Sequence, residues 1–181
     1  KTINECGCTM FLNLFLAFGS TYHRQEIVGK LMTHIGSGSK EVIDMALSVF
    51  VRMVDEEEYI DLLCPFSAFL RCLIDYVEHL SMSQVRKIFY VLCTMAEHST
   101  MLLDAGGATG GADESGDAEL NILLRKLLAS TQAHYRSIGI VAGSAMVLAI
   151  CSQVDRRSTP SSSQESDGSQ SSNKSGSQVA L

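Results

Sequence analysis

The stretch YRSIGIVAGSAMVLAIC, residues 135–151, is the most hydrophobic piece of the chain and carries its one charge at Arg136. Three readings compete for it: a membrane anchor, a buried core helix, or a helix that presents a modifiable residue at its exposed start. Its apolar part, residues 138–151, is 14 residues long. A bilayer span needs about 20, so length argues against the anchor. Gly139 and Gly143 have the spacing of close helix contacts, which suits tight packing in a helical stack. The expectation is a buried helix whose first turn presents position 136.

Working outward, the preceding sequence repeats one theme. Residues 5–18 (ECGCTMFLNLFLAF) are apolar on most sides and predict a buried helix, stopped by Gly19-Ser20-Thr21. Ile27, Val28, Leu31, Met32 and Ile35 recur at three-and-four spacing and predict a second helix over 22–35. Val42, Met45, Ala46, Val49, Phe50 and Met53 line one face of a third over 41–53. The acidic run 55–58 reads as a solvated helix end, and 60–64 as a short apolar connector.

Pro65 suits a first helical position and opens a helix over 66–80. Ser81-Met82-Ser83-Gln84 has the pattern of a capping box for the next helix, which should reach about His98. Asp117 is placed to cap a leucine-rich helix over 118–129, and Ser130-Thr131 either breaks or jogs it before the opening stretch. Two segments stand apart. DAGGATGGADESG, residues 104–116, has five glycines and predicts a mobile loop over 104–117. Residues 155–181 hold ten serines and predict a disordered tail.

No confident period-two run appears. About seven helices joined by short Gly/Ser turns predict an all-α fold. The expected architecture is antiparallel helix pairs stacked as a HEAT-like α-solenoid over 1–154, with the disordered C-terminal tail after it. Both ends of such a stack would be raw apolar faces unless more repeats follow. With Lys1 rather than Met at the start, this reads as an internal fragment.

Composition narrows function. Net charge is −6, which argues against nucleic-acid binding through overall positive charge but leaves local basic patches available. Those are Arg86-Lys87, Arg125-Lys126 and Arg136, which could touch a phosphate backbone if the helices align them. Ordinary solvated helix faces are the simpler explanation for any one pair taken alone. Six cysteines occur, with Cys6 and Cys8 the one close pair and no spaced histidines to complete a zinc site. Reduced thiols of a cytosolic or nuclear protein are expected.

His23, His34, His79, His98 and His134 lie on different helices or turns, outside any nucleophile motif, and no carboxylate dyad is recognisable. A non-enzymatic protein without cofactor or metal is therefore expected. Ser152, Ser163, Ser169 and Ser177 each precede glutamine, the target dipeptide of DNA-damage checkpoint kinases. A tail rich in both residues also makes such pairs by chance. Each phosphate would add about −1.5 to −2 charges near Arg156-Arg157.

FLAFGSTYHRQEIVGKLMTHIGSG (15–38), SQVRKIFYVLCTMA (83–96) and LLRKLLAST…YRSIGI (123–140) together resemble the Fanconi anaemia group D2 family, over about residues 11–151. The resemblance implies a nuclear helical solenoid that pairs with the Fanconi anaemia group I protein and clamps double-stranded DNA during interstrand-crosslink repair. It further implies that a ubiquitin ligase core complex and its conjugating enzyme attach one ubiquitin to a lysine in a Tyr-Lys-x-x-Gly-like segment. That segment corresponds to Tyr135–Gly139, and the acceptor falls on Arg136. A guanidinium keeps the charge but cannot serve as the amine nucleophile, and Lys126 is the nearest substitute. No membrane partner is implied. The alternative is a generic helical-repeat adaptor that binds protein partners in another pathway.

Overall fold

The computed structural model describes residues 2–37, 39–106 and 114–158. All regular structure among them is helical: α1 (Thr2–Ala17), α2 (Thr21–Gly36), α3 (Lys40–Asp55), α4 (Glu57–Leu63), α5 (Ser67–Arg71), α6 (Met82–Gly106), α7 (Glu114–Leu128) and α8 (Ala133–Ser158), with 3-10 turns over Cys64–Phe66 and Cys72–His79. The all-α class and the stacked arrangement follow the sequence expectation.

α1 and α2 form an antiparallel pair. The Arg24 Nε donates to the Phe15 carbonyl at 3.2 Å, its guanidinium lies 5.8 Å from the Phe15 ring centre, and Phe18 stacks on His23. α3 packs on both helices of this pair and on α6. Polar contacts advance together along α3 and α6. The Gln84 amide reaches the Lys40 carbonyl (3.4 Å), and the Lys87 ammonium reaches the Asp44 carbonyl (3.3 Å) and Ser48 Oγ (3.0 Å). Further on, Tyr90 Oη donates to Asp55 (2.7 Å). α3 and α6 therefore run in the same sense, as matching helices of successive layers do in a solenoid.

α6 also packs along α8, which forms an antiparallel pair with α7. Enclosed on two sides, α6 buries Val91, Leu92, Cys93, Thr94 and Met95 in succession. The core runs continuously from Phe15 through Leu31, Phe50 and Phe89 to Ile138 and Ala149.

Several expectations need correction. Residues 60–63 of the supposed connector belong to α4, which has Tyr59, Ile60 and Leu63 buried, and Cys64 opens the 3-10 turn that follows. Pro65, which cannot donate to the carbonyl four residues back, takes α4 over into a 3-10 turn, and the helix expected over 66–80 is not continuous. It becomes α5 between two 3-10 segments. The capping box at 81–84 is half formed: Gln84 Oε1 accepts from the Ser81 amide (3.0 Å), but the Ser81 hydroxyl pairs with Ser83 Oγ. Asp117 lies inside α7 rather than before it. Ser130-Thr131 do break the chain: the Ser130 amide turns back to the Leu127 carbonyl, and the Gln132 amide donates to Ser130 Oγ. Of the loop expected over 104–117, α6 occupies residues up to Gly106 and α7 those from Glu114; residues 107–113 lie outside the described residues. α8 runs to Ser158, and the remainder of the expected tail, 159–181, likewise lies outside them.

The largest correction concerns α8. It is 26 residues long, and the span Ala133–Ser152 is long and apolar enough to cross a membrane by length and composition. The length argument against an anchor fails, because helix extends on both sides of the 14 apolar residues. Nor is α8 buried all round. Ile138, Ala142, Ala145 and Ala149 are buried against α6 and α7, whereas Ile140, Val147, Leu148 and Val154 are more than half exposed.

The enclosed layer carries the stability. Phe50, with no exposed surface at the centre of α3, should cost about 3–5 kcal/mol when changed to alanine, from lost transfer energy and the cavity left behind. Met10→Ala, at a half-exposed site on α1, should stay within about 0.5 kcal/mol. Urea denaturation followed by far-UV circular dichroism distinguishes the two.

Candidate functional site: the first turn of α8

The turn 129–132 delivers the chain to α8, whose first turn is held from three sides. Tyr135 Oη donates to Glu78 Oε1 at 2.7 Å, across 57 residues of sequence. Ile138 is wholly buried. Gly139 lies under the end of α7, where an added Cβ would stand 2.9 Å from the Leu128 backbone nitrogen and 3.0 Å from the Leu127 carbonyl carbon. Such a distance is too short for any side chain, so glycine here is a requirement of the close approach. At Gly143 the same Cβ would meet Leu124 at 3.9 Å, an ordinary contact.

Between these fixed points Arg136 is exposed, with its backbone amide bonded to the Gln132 carbonyl (3.1 Å). Ser137 is also exposed and donates to the Ala133 carbonyl (2.9 Å). The fold thus presents residue 136 outward on a rigid turn, as the sequence led us to expect. The hydrogen bond to the Glu78 carboxylate, with the repulsion that carboxylate exerts on a phenolate, raises Tyr135 above the ordinary tyrosine range. The sign follows: the bond's contribution is intact below the ordinary tyrosine value of about 10 and is lost as pH rises through the higher folded value.

Lys126 is exposed in the last turn of α7, next to the Leu127-Leu128 pair seated on Gly139. It lines an open cleft of about 510 Å³ with Arg71, Cys72, Asp75, Glu119 and Leu123. Arg125 and Arg86 are exposed on α7 and α6. Lys87 is half-buried and turned onto α3, 3.6 Å from Asp44 Oδ1, so its ammonium serves the layer contact. Ser152 is half-buried in α8, donating to the Ala149 carbonyl at 2.8 Å. Ser163, Ser169 and Ser177 lie outside the described residues.

All six cysteines are free thiols. Burial pushes the Cys8 and Cys64 thiols up. His98 bonds Asp61 at 2.7 Å and thereby joins α6 to α4, while His34 meets the edge of the Phe11 ring. Among the described residues no three His, Cys, Asp or Glu side chains gather as a metal site would need. Glu78 is the member of the site that sequence reasoning missed; its link to Tyr135 is tertiary and leaves no local pattern.

The family model described as Fanconi anaemia protein FancD2 nuclease matches residues 1–181. The chain is 32% identical to the Fanconi anaemia group D2 protein homologue of Mus musculus over 148 residues, which cover 82% of this chain and 9% of the mouse protein. The Rattus norvegicus homologue gives 32% over 149 residues, again 82% of this chain and 9% of the relative. The Gallus gallus protein gives 27% over 145 residues, 78% and 9%. The chain thus spans about a tenth of the length of the curated relatives it matches.

Three substitutions check the geometry. Gly139→Ala should destabilise by about 1–3 kcal/mol, the overpacking cost outweighing roughly 1 kcal/mol of better helix propensity. Gly143→Ala should be neutral or stabilising by up to about 1 kcal/mol. Glu78→Ala should bring the Tyr135 ionisation down toward the ordinary value, read as a shift in phenolate absorbance that Tyr135→Phe abolishes.

Proposed function

This chain belongs to the FancD2 family of Fanconi anaemia proteins, and from that premise we propose that it is a helical scaffold segment of a nuclear DNA interstrand-crosslink repair protein. In this reading the parent polypeptide pairs with the Fanconi anaemia group I protein, encloses double-stranded DNA, and is regulated by monoubiquitination and phosphorylation. The observation that carries it is the family match over the whole chain, joined to a held and outward-facing turn at the place where the family resemblance expects a modified residue.

The chemistry of that turn is specific. An acceptor must offer a neutral amine that attacks the thioester of a charged conjugating enzyme, so that an isopeptide bond forms and the enzyme's thiol leaves. The planar, delocalised guanidinium of Arg136 offers no such amine. It retains the exposure and charge of the position without the nucleophile. Lys126 lies on the neighbouring helix end and is the substitute we propose. Arg86, Arg125 and Lys126 are offered as DNA-backbone contacts, whereas Lys87 is committed to α3.

Phosphorylation is proposed at Ser163, Ser169 and Ser177. At Ser152 it would require the end of α8 to unwind, since the hydroxyl is bonded within the helix.

The family description contains the word nuclease. We favour a non-catalytic role for this segment because four of its carboxylates are used to join its elements. Asp44, Asp55, Asp61 and Glu78 each bond a side chain on another helix. Membrane insertion is disfavoured because α7, alongside α8, exposes Glu119, Arg125 and Lys126, which would be costly in hydrocarbon.

Reconstitution with the ligase core complex and its conjugating enzyme is the direct test. Unaltered chain should carry no remnant at position 136, and Arg136→Lys should gain one, read by mass spectrometry of the Gly-Gly adduct. A modified lysine at 126 should disappear in Lys126→Arg. An Arg136→Lys chain that stays unmodified would sink the presentation reading. Failure of the intact endogenous polypeptide to retain either the group I partner or duplex DNA would sink the scaffold reading in favour of the generic adaptor.

A further inference from the structure

Position 136 is bracketed unequally. On its C-terminal side Ile138 is wholly buried and Gly139 lies against the α7 backbone. On its N-terminal side Ala133 and His134 are exposed. The bonds from the Arg136 amide to the Gln132 carbonyl and from Ser137 Oγ to the Ala133 carbonyl stay within the turn. The His134 ring leans on its neighbour Tyr135. Contacts of this sort move with the turn when it opens and do not fix it to the body. A helix frays at such an end, because its first amides have no partner within the helix. The ties to the body on this side run through Tyr135. Its ring packs at the edge of the core, and its hydroxyl donates to Glu78 Oε1 at 2.7 Å. Glu78 is exposed, yet it stands on a fixed support: the 3-10 segment Cys72–His79 has Leu73 and Val77 buried.

We infer, on the reading of this turn as an acceptor site, that Glu78 is a positioning residue for covalent attachment at position 136 and not at Lys126. Lys126 is held by other means. Leu127 and Leu128 are seated over Gly139, the Ala129 amide donates to the Arg125 carbonyl (3.0 Å) and the Ser130 amide to the Leu127 carbonyl (3.2 Å). Glu78 takes no part in these bonds. Attachment forms a C–N bond at the thioester carbonyl, breaks its C–S bond and passes the amine's proton to the departing thiolate. No step asks Glu78 to act as acid or base. The demand is that the amine stay on the line of attack, where a displacement of about 1 Å costs up to about 100-fold. A partly exposed hydrogen bond holds such an end closed by a factor of about three to ten.

The test uses the intact polypeptide carrying Arg136→Lys, with the ligase core complex and its conjugating enzyme, and follows single-turnover attachment at 136 and 126 by their Gly-Gly remnants. Glu78→Ala and Tyr135→Phe should each slow attachment at 136 about three- to tenfold, leave 126 within about twofold, and show no further loss when combined. Glu78→Gln keeps an oxygen acceptor for the tyrosine and should restore 136 to within about twofold. Amide hydrogen exchange supplies a reading without ubiquitin: in Glu78→Ala, the Arg136 and Ser137 amides should exchange about three- to tenfold faster, and those of residues 141–145 at the unaltered rate. An Arg136→Lys polypeptide that stays unmodified with Glu78 in place removes the acceptor reading and the role of Glu78 with it. Attachment at 136 at an unchanged rate in Glu78→Ala overturns the role of Glu78 alone. So does equal slowing at 126 and 136, or Glu78→Gln as slow as Glu78→Ala. Unchanged exchange at Arg136 and Ser137 overturns it as well, whatever residue 126 carries.

Discussion

The whole arrangement depends on α6 being enclosed between α3 and α8. A helix in solution buries one stripe and wets the other, yet α6 buries five consecutive residues, Val91–Met95. That is possible only if a second layer covers the face that the first leaves open. Removing either neighbour would expose a helix face with no polar side. The stack is therefore cooperative across layers: α3 and α8 make few direct contacts and are still coupled through the helix they share. The polar bonds along the α3–α6 seam, with Lys87 on Asp44 and Ser48, fix register more than they add energy, since partly exposed pairs contribute little.

Position 136 is held in place through this layering. α8 is fixed by α6 along one face, and α7 then closes on it so tightly at Gly139 that backbone meets backbone. Once that crossing is set, Tyr135 is brought to Glu78 and residue 136 can only point outward. Three constraints from three different elements converge on one turn. A loop could expose a residue just as well, but it would leave the orientation of the side chain open.

Most of this fold was legible in local pattern. The three-and-four spacing of Ile27, Leu31 and Ile35, or of Val49, Phe50 and Met53, fixes a helix and its buried face without reference to anything distant. Legibility failed where the deciding contact was tertiary or where both faces were apolar. Pro65 looked like the start of one long helix and opens only a 3-10 turn, because the preceding helix α4 was hidden in a run too short to show a period. α8 read as buried since residues 137–152 on it are all small or apolar, and apolar composition alone cannot say which face is covered. Glu78 had no signature at all, because nothing local to residues 72–79 refers to a tyrosine 57 positions on.

The arginine at position 136 separates two properties that the family resemblance joins. Presentation depends on Gly139, Ile138 and the Tyr135–Glu78 bond, and all of these are intact beside an arginine. Nucleophilicity depends on the side chain at 136 alone. A cation at that place still orders water and attracts a negatively charged surface as a lysine would, while a planar guanidinium adds a fork suited to carboxylates and phosphates. In the proposed reading the turn serves recognition, with covalent chemistry as a property of the single side chain set upon it, and Arg136 would leave the geometry whole while lacking the bond-forming amine.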